Sequence, residues 1–265
     1  MINKHDLARD FSALLDKQEN EQVYQSFLEK HPFFIPREFV QNHGIHFNLA
    51  LKKLSLAKDY VTDFFYLSKS SDDWNCVLVE LEKPQSRFFK DGSNEFHQDF
   101  VSALSQIRRW RAWFEENTNK EHFINNTLRT VRIPTPMAKN PCYIKYVLVH
   151  GRRAEYQDNH IRAGQIRAEE RDDFKIMTYD SLLEGINSKG DLYIGVKTNE
   201  HVDIISDRFV DESIFSWIAP SAIRITEALK TDALNHKSAW YHYKTISGSR
   251  VLALDDVLPK IQTKG

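Results

Sequence analysis

The sequence predicts an α/β protein: a helical start, three strands, a helix and a strand, followed by a mixed tail. Residues 46–81 gather aromatic and branched side chains into short stretches, HFNLALKKLSL, DYVTDFFYL and WNCVLVEL, that suit strands. Residues 95–116 hold no glycine or proline and repeat apolar side chains at three-and-four spacing, which suits a helix. The two textures then alternate, as they do in a sheet with crossover helices.

Each element follows in order. Leu7, Phe11, Leu14 and Leu15, then Val23, Tyr24, Phe27 and Leu28, keep helical spacing until His31-Pro32, where proline disfavours helix. That predicts one broken helix or two short ones. The polar turn SKSSDD separates the second strand from the third. Phe100, Ala103, Leu104, Ile107, Trp110 and Phe114 mark the buried face of the 95–116 helix. NTLRTVRIPTPMAKNP, with three prolines, reads as an irregular loop, and YIKYVLVH, bounded by Pro141 and Gly151, as a buried strand. Residues 158–171 suit a helix, DFKIMTYD a strand and SLLEGIN a short helix. LYIGV and VDIIS within 192–206 look extended, and 213–235 looks helical with a break at Pro220.

Composition excludes several classes. At 265 residues, with 41% hydrophobic and 28% charged side chains, the chain has material for a sizeable core. Its 36 basic and 37 acidic side chains leave a net charge of -1, so nucleic-acid binding has to come from local patches. The two cysteines, Cys76 and Cys142, offer neither a disulfide framework nor a zinc site, and the expected compartment is the reducing cytoplasm. No run of 18 apolar residues predicts a membrane span. The 11 histidines, among them His97, His150 and His160, lack metal-ligand spacing, and no phosphate-binding glycine loop or GxSxG is found.

Chemistry concentrates at Asp63, Glu80 and Glu82. Strand alternation in VLVELEKP puts Leu78, Glu80 and Glu82 on one face and Val77, Val79 and Leu81 on the other. A hairpin centred between residues 71 and 72 sets Asp63 opposite Glu80. Carboxylates so placed repel unless something offsets them, and Mg2+ is the natural offset, since it takes a few carboxylate oxygens and keeps waters. A one-residue slip would turn Asp63 to the other face. The plain alternative is a solvated strand end.

Five segments in order, Glu21 with the FLxxHP that follows it, VELEKP, FxxALSQIRRWRxW, VHGRR and IMTYDSLL, make residues 15–190 resemble the Shedu family of bacterial anti-phage defence nucleases, within the PD-(D/E)xK superfamily. The resemblance implies a PD-(D/E)xK nuclease-like core and a Mg2+-dependent DNA endonuclease, with Mn2+ able to substitute. It makes Asp63 and Glu80 metal ligands, with the Leu81 carbonyl beside them. Gln106 becomes the glutamine that orients the site, and Trp110 the aromatic one turn on, for which a core role is the alternative. Glu21 is an acid that some members supply from the first helix.

Two departures qualify this. Thr62 stands where the superfamily's name has proline, and Glu82 stands where its lysine is expected, with Lys83 one residue later. Either Glu82 is a further metal ligand or Lys83 swings into the site, and the sequence leaves both open. Arg108, Arg109 and Arg111 on the long helix and Arg152 and Arg153 after the strand are candidates for holding the DNA backbone, with a solvated surface position as the alternative. The rival readings are a catalytically impaired binding or regulatory module with the nuclease fold, and an RNA-directed or repair nuclease.

The expected organisation is an N-terminal helical segment over 1–40, a nuclease core over 41–190 and a C-terminal extension over 191–265. Phe209, Ile214, Phe215, Trp217, Ile218, Trp240, Tyr241 and Tyr243 in the extension either pack on their own core or build a homo-oligomer, a dimer or tetramer, which the resemblance also implies.

Overall fold

A nine-stranded mixed sheet organises the chain in the computed structural model, which describes residues 3–236 and 258–264. Two helices come first, α1 (Lys4–Leu15) and α2 (Glu21–Lys30), capped by the side chains of Asn3 and Asn20. The polar linker between them resolves the sequence alternative in favour of two helices. Strands β1 (Ile45–Lys52), β2 (Ser55–Leu56), β3 (Tyr60–Val61), β4 (Phe64–Lys69) and β5 (Trp74–Leu81) follow, then helices α3 (Gln98–Glu115) and α4 (Asn117–His122). Next come β6 (Cys142–Val149), α5 (His160–Glu169), β7 (Phe174–Met177) and α6 (Tyr179–Glu184). The chain continues through β8 (Tyr193–Thr198), β9 (His201–Ile204), α7 (Ser213–Trp217), β10 (Ile223–Thr226), α8 (Glu227–Asn235) and β11 (Gln262–Lys264).

The sheet order is β11-β10-β9-β8-β1-β4-β5-β6-β7, with β2 and β3 forming a separate small hairpin. Strands β4 and β5 pair antiparallel from Phe64 with Val79 to Lys69 with Trp74, the register expected from the turn. Strand β6 runs parallel to β5, and β7 parallel to β6. Strand β8 pairs directly with β1, so residues after 191 extend the sheet of the preceding segment.

Every residue of β5 is buried, because both faces of the sheet are covered. On one face Trp74, Cys76 and Leu78 meet Phe100, Ala103, Leu104, Ile107, Trp110, Trp113 and Phe114 of α3. On the other, Val77, Val79 and Leu81 meet Phe11, Tyr24 and Leu28 from α1 and α2, with Tyr179 and Leu182 from α6. Burying a large apolar side chain contributes about 1.5–3 kcal/mol, against about 1 kcal/mol for an N-cap. Packing, rather than the His97 cap, therefore holds α3 in place.

The structure corrects the expected elements at two places. HFNLALKKLSL and DYVTDFFYL, each expected as one strand, are each broken in two, into β1 and β2 and into β3 and β4. Residues 223–226, expected to be helical, form β10: Ile223 and Ile225 are fully buried while Arg224 and Thr226 are half-buried, a period of two. Their neighbours β9 and β11 supply the ladder that local sequence cannot announce. The proline-rich loop also holds a short 3-10 helix, Thr135–Lys139. In the extension, Ile214, Phe215 and Ile218 are buried in the core, with Phe209 and Trp217 packed against it. These five follow the packing alternative; Trp240, Tyr241 and Tyr243 lie outside the described residues. Among the described residues no helix is long and apolar enough to cross a membrane.

Where β6 ends, Gly151 turns the chain at φ 54°, and a Cβ there would lie 2.6 Å from the Ser86 carbonyl oxygen and 3.0 Å from the Phe88 ring. Gly151→Ala should therefore cost about 1–3 kcal/mol, through left-handed strain and the clash. Chemical denaturation checks it: an unchanged midpoint would mean that the turn tolerates a side chain.

Candidate active site

The acids sit at the carboxyl end of the parallel pair β5 and β6, where open α/β sheets place their ligand sites. Asp63 immediately precedes β4, and its side chain fastens the end of the hairpin. Its Oδ2 accepts a hydrogen bond from the Leu81 amide at 2.7 Å, while its own amide donates to the Val79 carbonyl at 3.2 Å. Lys53 comes directly after β1 with φ 48°, and its amide donates to the Asp63 carbonyl at 3.0 Å. The Lys53 ammonium then reaches Asp63 Oδ1 at 2.5 Å. Glu80 receives a hydrogen bond on Oε1 from the Gln106 amide of α3. The Glu82 carbonyl accepts from the Tyr179 hydroxyl at 2.5 Å. Asp63 is 5% exposed and Glu80 8%, so neither charge is solvated as it would be on a surface.

Their electrostatics tie the acids together. Burial, then the charges of Asp63, Glu82 and Glu21, push the Glu80 carboxyl well above the usual glutamate range, with Lys53 opposing. Burial, followed by Glu21, Asp63 and Asp99, pushes Glu82 up to about 7, with Lys83 opposing. Glu21 rises for similar reasons, burial first and then Asp63, opposed by Lys53 and Lys83. Burial works to lower the Lys53 pKa, but the hydrogen bond to Asp63 and the charges of Asp63, Glu21 and Glu80 raise it overall.

Among the described residues no three His, Cys, Asp or Glu side chains stand as a ready metal cage. Lys53 and the Leu81 amide engage both oxygens of Asp63, and Gln106 engages one of Glu80. The donors still fit Mg2+, which uses one or two protein carboxylates and keeps its waters. Buried carboxyls that repel one another are the electrostatic deficit that a divalent cation relieves. Asp63 and Glu80 could hold such an ion, with Glu82 beside them.

The structure brings Asp63 beside Glu80, as the hairpin register implied, with Gln106 and Glu21, the two residues named through the resemblance, and Glu82 in the same cluster. Lys83 is exposed, at the margin of the cluster. Trp110 is fully buried, in the core role weighed for it. The arginines lie among carboxylates: Arg108 with Glu169 at 3.4 Å, Arg111 with Asp173 at 2.9 Å, and Arg152 with Asp180 at 2.9 Å and Asp16 at 3.2 Å. Arg153 makes two hydrogen bonds to Glu184, each 2.7 Å. Arg109 is exposed and, among the described residues, has no ion pair. His150 is buried and held down to about 4 by that burial, while His97 caps α3. Sequence reasoning missed Lys53 and Tyr179. A hairpin drawn between the first two predicted strands would have set residue 53 beside 63; Tyr179 carried no local signal beyond its segment.

Because Glu82 binds its proton more tightly in the fold than its ordinary value of 4.5, it leaves the native state protonated at lower pH. The stability from this group is therefore full below about pH 4.5 and is lost as pH rises through about 7. Glu82→Gln should raise the melting temperature of the metal-free protein at pH 8 and barely change it at pH 5, by roughly 2–4 °C for each kcal/mol of repulsion removed. Calorimetry at the two pH values tests this; equal shifts would place Glu82 outside the cluster.

Residues 18–183 match the family described as Shedu protein SduA, C-terminal. The span takes in α2, the β4–β5 hairpin, α3 and β6, and with them every acid of the cluster. Among curated proteins no significant match is found. With well over half of its length inside that match, the chain belongs to the Shedu family.

Proposed function

We propose that this chain is a Mg2+-dependent deoxyribonuclease acting in anti-phage defence, on a PD-(D/E)xK core. The observation that carries the reading is the junction of Asp63 and Glu80 at the end of the β4–β5 hairpin, one fastened to the Leu81 amide and the other to Gln106. The order of the N-terminal helices, the main-sheet strands β1, β4 and β5, helix α3 and strand β6 supports the scaffold, and family membership supports the defence role.

When bound, Mg2+ supplies acidification of water and neutralises charge at the scissile phosphate. Asp63 and Glu80 would hold it, and Mn2+ would substitute through the same oxygen donors. Gln106 orients the Glu80 carboxylate from α3. Glu82, with a carboxyl pushed up to about 7, is suited to accept the proton of the attacking water near neutral pH. That role makes Glu82 a base, while exposed Lys83 meets the substrate from outside.

A second reading is favoured by one observation: both Asp63 oxygens are already engaged. It is a nuclease-fold module that binds nucleic acid without cutting it.

Supercoiled plasmid, incubated with Mg2+ and with chelator, separates the two. Cleavage only with Mg2+ is the expected result; DNA binding without cleavage supports the module, and cleavage of RNA alone would move the substrate. Since metal-borne charge stabilisation is worth several kcal/mol, Asp63→Asn or Glu80→Gln should lower the rate on the order of 100-fold or more. Gln106→Ala should cost about 10–100-fold through misorientation of its ligand. Full activity in either acid variant would sink the assignment.

For binding, Arg109→Ala should flatten the log-log salt dependence of duplex affinity by up to about 0.9 per charge. The double replacement of Arg152 and Arg153 should do the same for two charges only if phosphates displace Asp180 and Glu184. An unchanged slope in both would put the DNA elsewhere on the molecule.

A further inference from the structure

The position of Lys53 is unusual in three ways. It is a non-glycine residue at φ 48°, a conformation that costs an L residue energy and persists only where its surroundings impose it. It is tied to Asp63 twice, by its amide to the Asp63 carbonyl at 3.0 Å and by its ammonium to Oδ1 at 2.5 Å. And the pair is lopsided: the Lys53 side chain is 43% exposed and that of Asp63 only 6%. Asp63 is thus reached from solvent alongside a cation that solvent, and anything arriving from it, can touch.

An ammonium on Asp63 Oδ1 competes with a divalent cation for that oxygen, and its positive charge repels the ion wherever it approaches. The Asp63 and Glu21 charges that keep the ammonium there act equally on a metal ion. The accessible partner of the pair is the one that an anion would engage. A phosphate competes with a carboxylate for an ammonium on equal chemical terms.

We propose that Lys53 is an exchangeable counter-ion that couples substrate to metal loading. In the free protein it neutralises Asp63 and keeps the divalent ion weakly bound; a backbone phosphate of the nucleic acid draws the ammonium away and frees Oδ1. The inference rests on the nuclease reading above, and it gives that site a gate. By linkage, the duplex then tightens metal binding by the same factor as the metal tightens duplex binding. Removing the gate leaves an acid cluster that takes up the ion without substrate.

The test is Mn2+ binding by calorimetry to the full chain, with and without a short phosphorothioate duplex, for wild type, Lys53→Met, Lys53→Arg and Asp63→Asn. Lys53→Met should bind Mn2+ roughly tenfold or more tighter than wild type, because a unit positive charge beside the ion is gone. The duplex should tighten Mn2+ binding to wild type and to Lys53→Arg, which keeps the charge, and leave Lys53→Met unaffected. Lys53→Met should also melt lower than wild type without metal and recover with Mn2+, so a variant that folds only with the ion still reports. Unchanged or weaker Mn2+ affinity in Lys53→Met, with binding lost in Asp63→Asn, overturns the gate and leaves the metal site standing. Mn2+ affinity unchanged in Asp63→Asn overturns the metal site itself.

Discussion

The hydrogen bond from the Leu81 amide to Asp63 Oδ2 closes the β4–β5 hairpin where its regular ladder ends, and the arrangement of the site follows from it. Ladder pairing stops at Phe64 with Val79, so the next rung is built from a side chain instead of a carbonyl. That substitution turns a structural terminus into a fixed carboxylate, buried, aimed and held beside Glu80. A carboxylate accepting a main-chain amide in a dry setting gains a charge-assisted bond, but its second oxygen still needs a partner. In the free protein Lys53 provides it. The cost of assembling buried acids is thus met partly by a hydrogen bond that the hairpin would need in any case.

Two layers meet at this point. Helix α3 covers one face of the sheet and contributes Gln106; α2 and α6 cover the other and contribute Glu21 and Tyr179. Gln106 and Glu21 reach the same cluster because the site lies at the end of the strands, beyond the sheet that separates the layers. Gln106 adjoins Ile107 and lies one turn before Trp110, both buried in α3, so packing of the helix brings its amide to Glu80, to which it donates. The electrostatics reinforce the joint placement, since Glu21, on the opposite layer, contributes to raising both Glu80 and Glu82.

What the sequence made legible follows from the range of the interaction. The register placing Asp63 by Glu80 needs only a short polar turn and a period of two, both local, and the structure has that register. The buried face of α3 was legible for the same reason. Lys53 was legible only through the pairing of the first two predicted strands, a longer-range contact than the β4–β5 turn, and nothing local announces its left-handed backbone at a lysine. The carboxylate partners of Arg108, Arg152 and Arg153 were not legible, since they come from residues 169, 180, 184 and 16. Strand β10 was hidden because its two isoleucines also suit the helical pattern on either side.

The near-neutral net charge takes on a different meaning once the partners are known. A chain with 36 basic and 37 acidic side chains has no global field to hold a polyanion, and several of its candidate arginines already neutralise carboxylates of the same chain. Each such arginine is bound by a group weaker in charge than a phosphate diester backbone presents as an array. On the proposed function, binding would proceed by exchange of partners rather than by attraction to free charge, and each exchange would release an acid that was previously covered. Near the cluster, the same logic applied to Lys53 would release the Asp63 oxygen that the proposed metal ion needs. If the proposed function holds, a protein balanced in this way would be quiet toward nucleic acid at a distance and would respond only where phosphates arrive in the geometry that its internal ion pairs define.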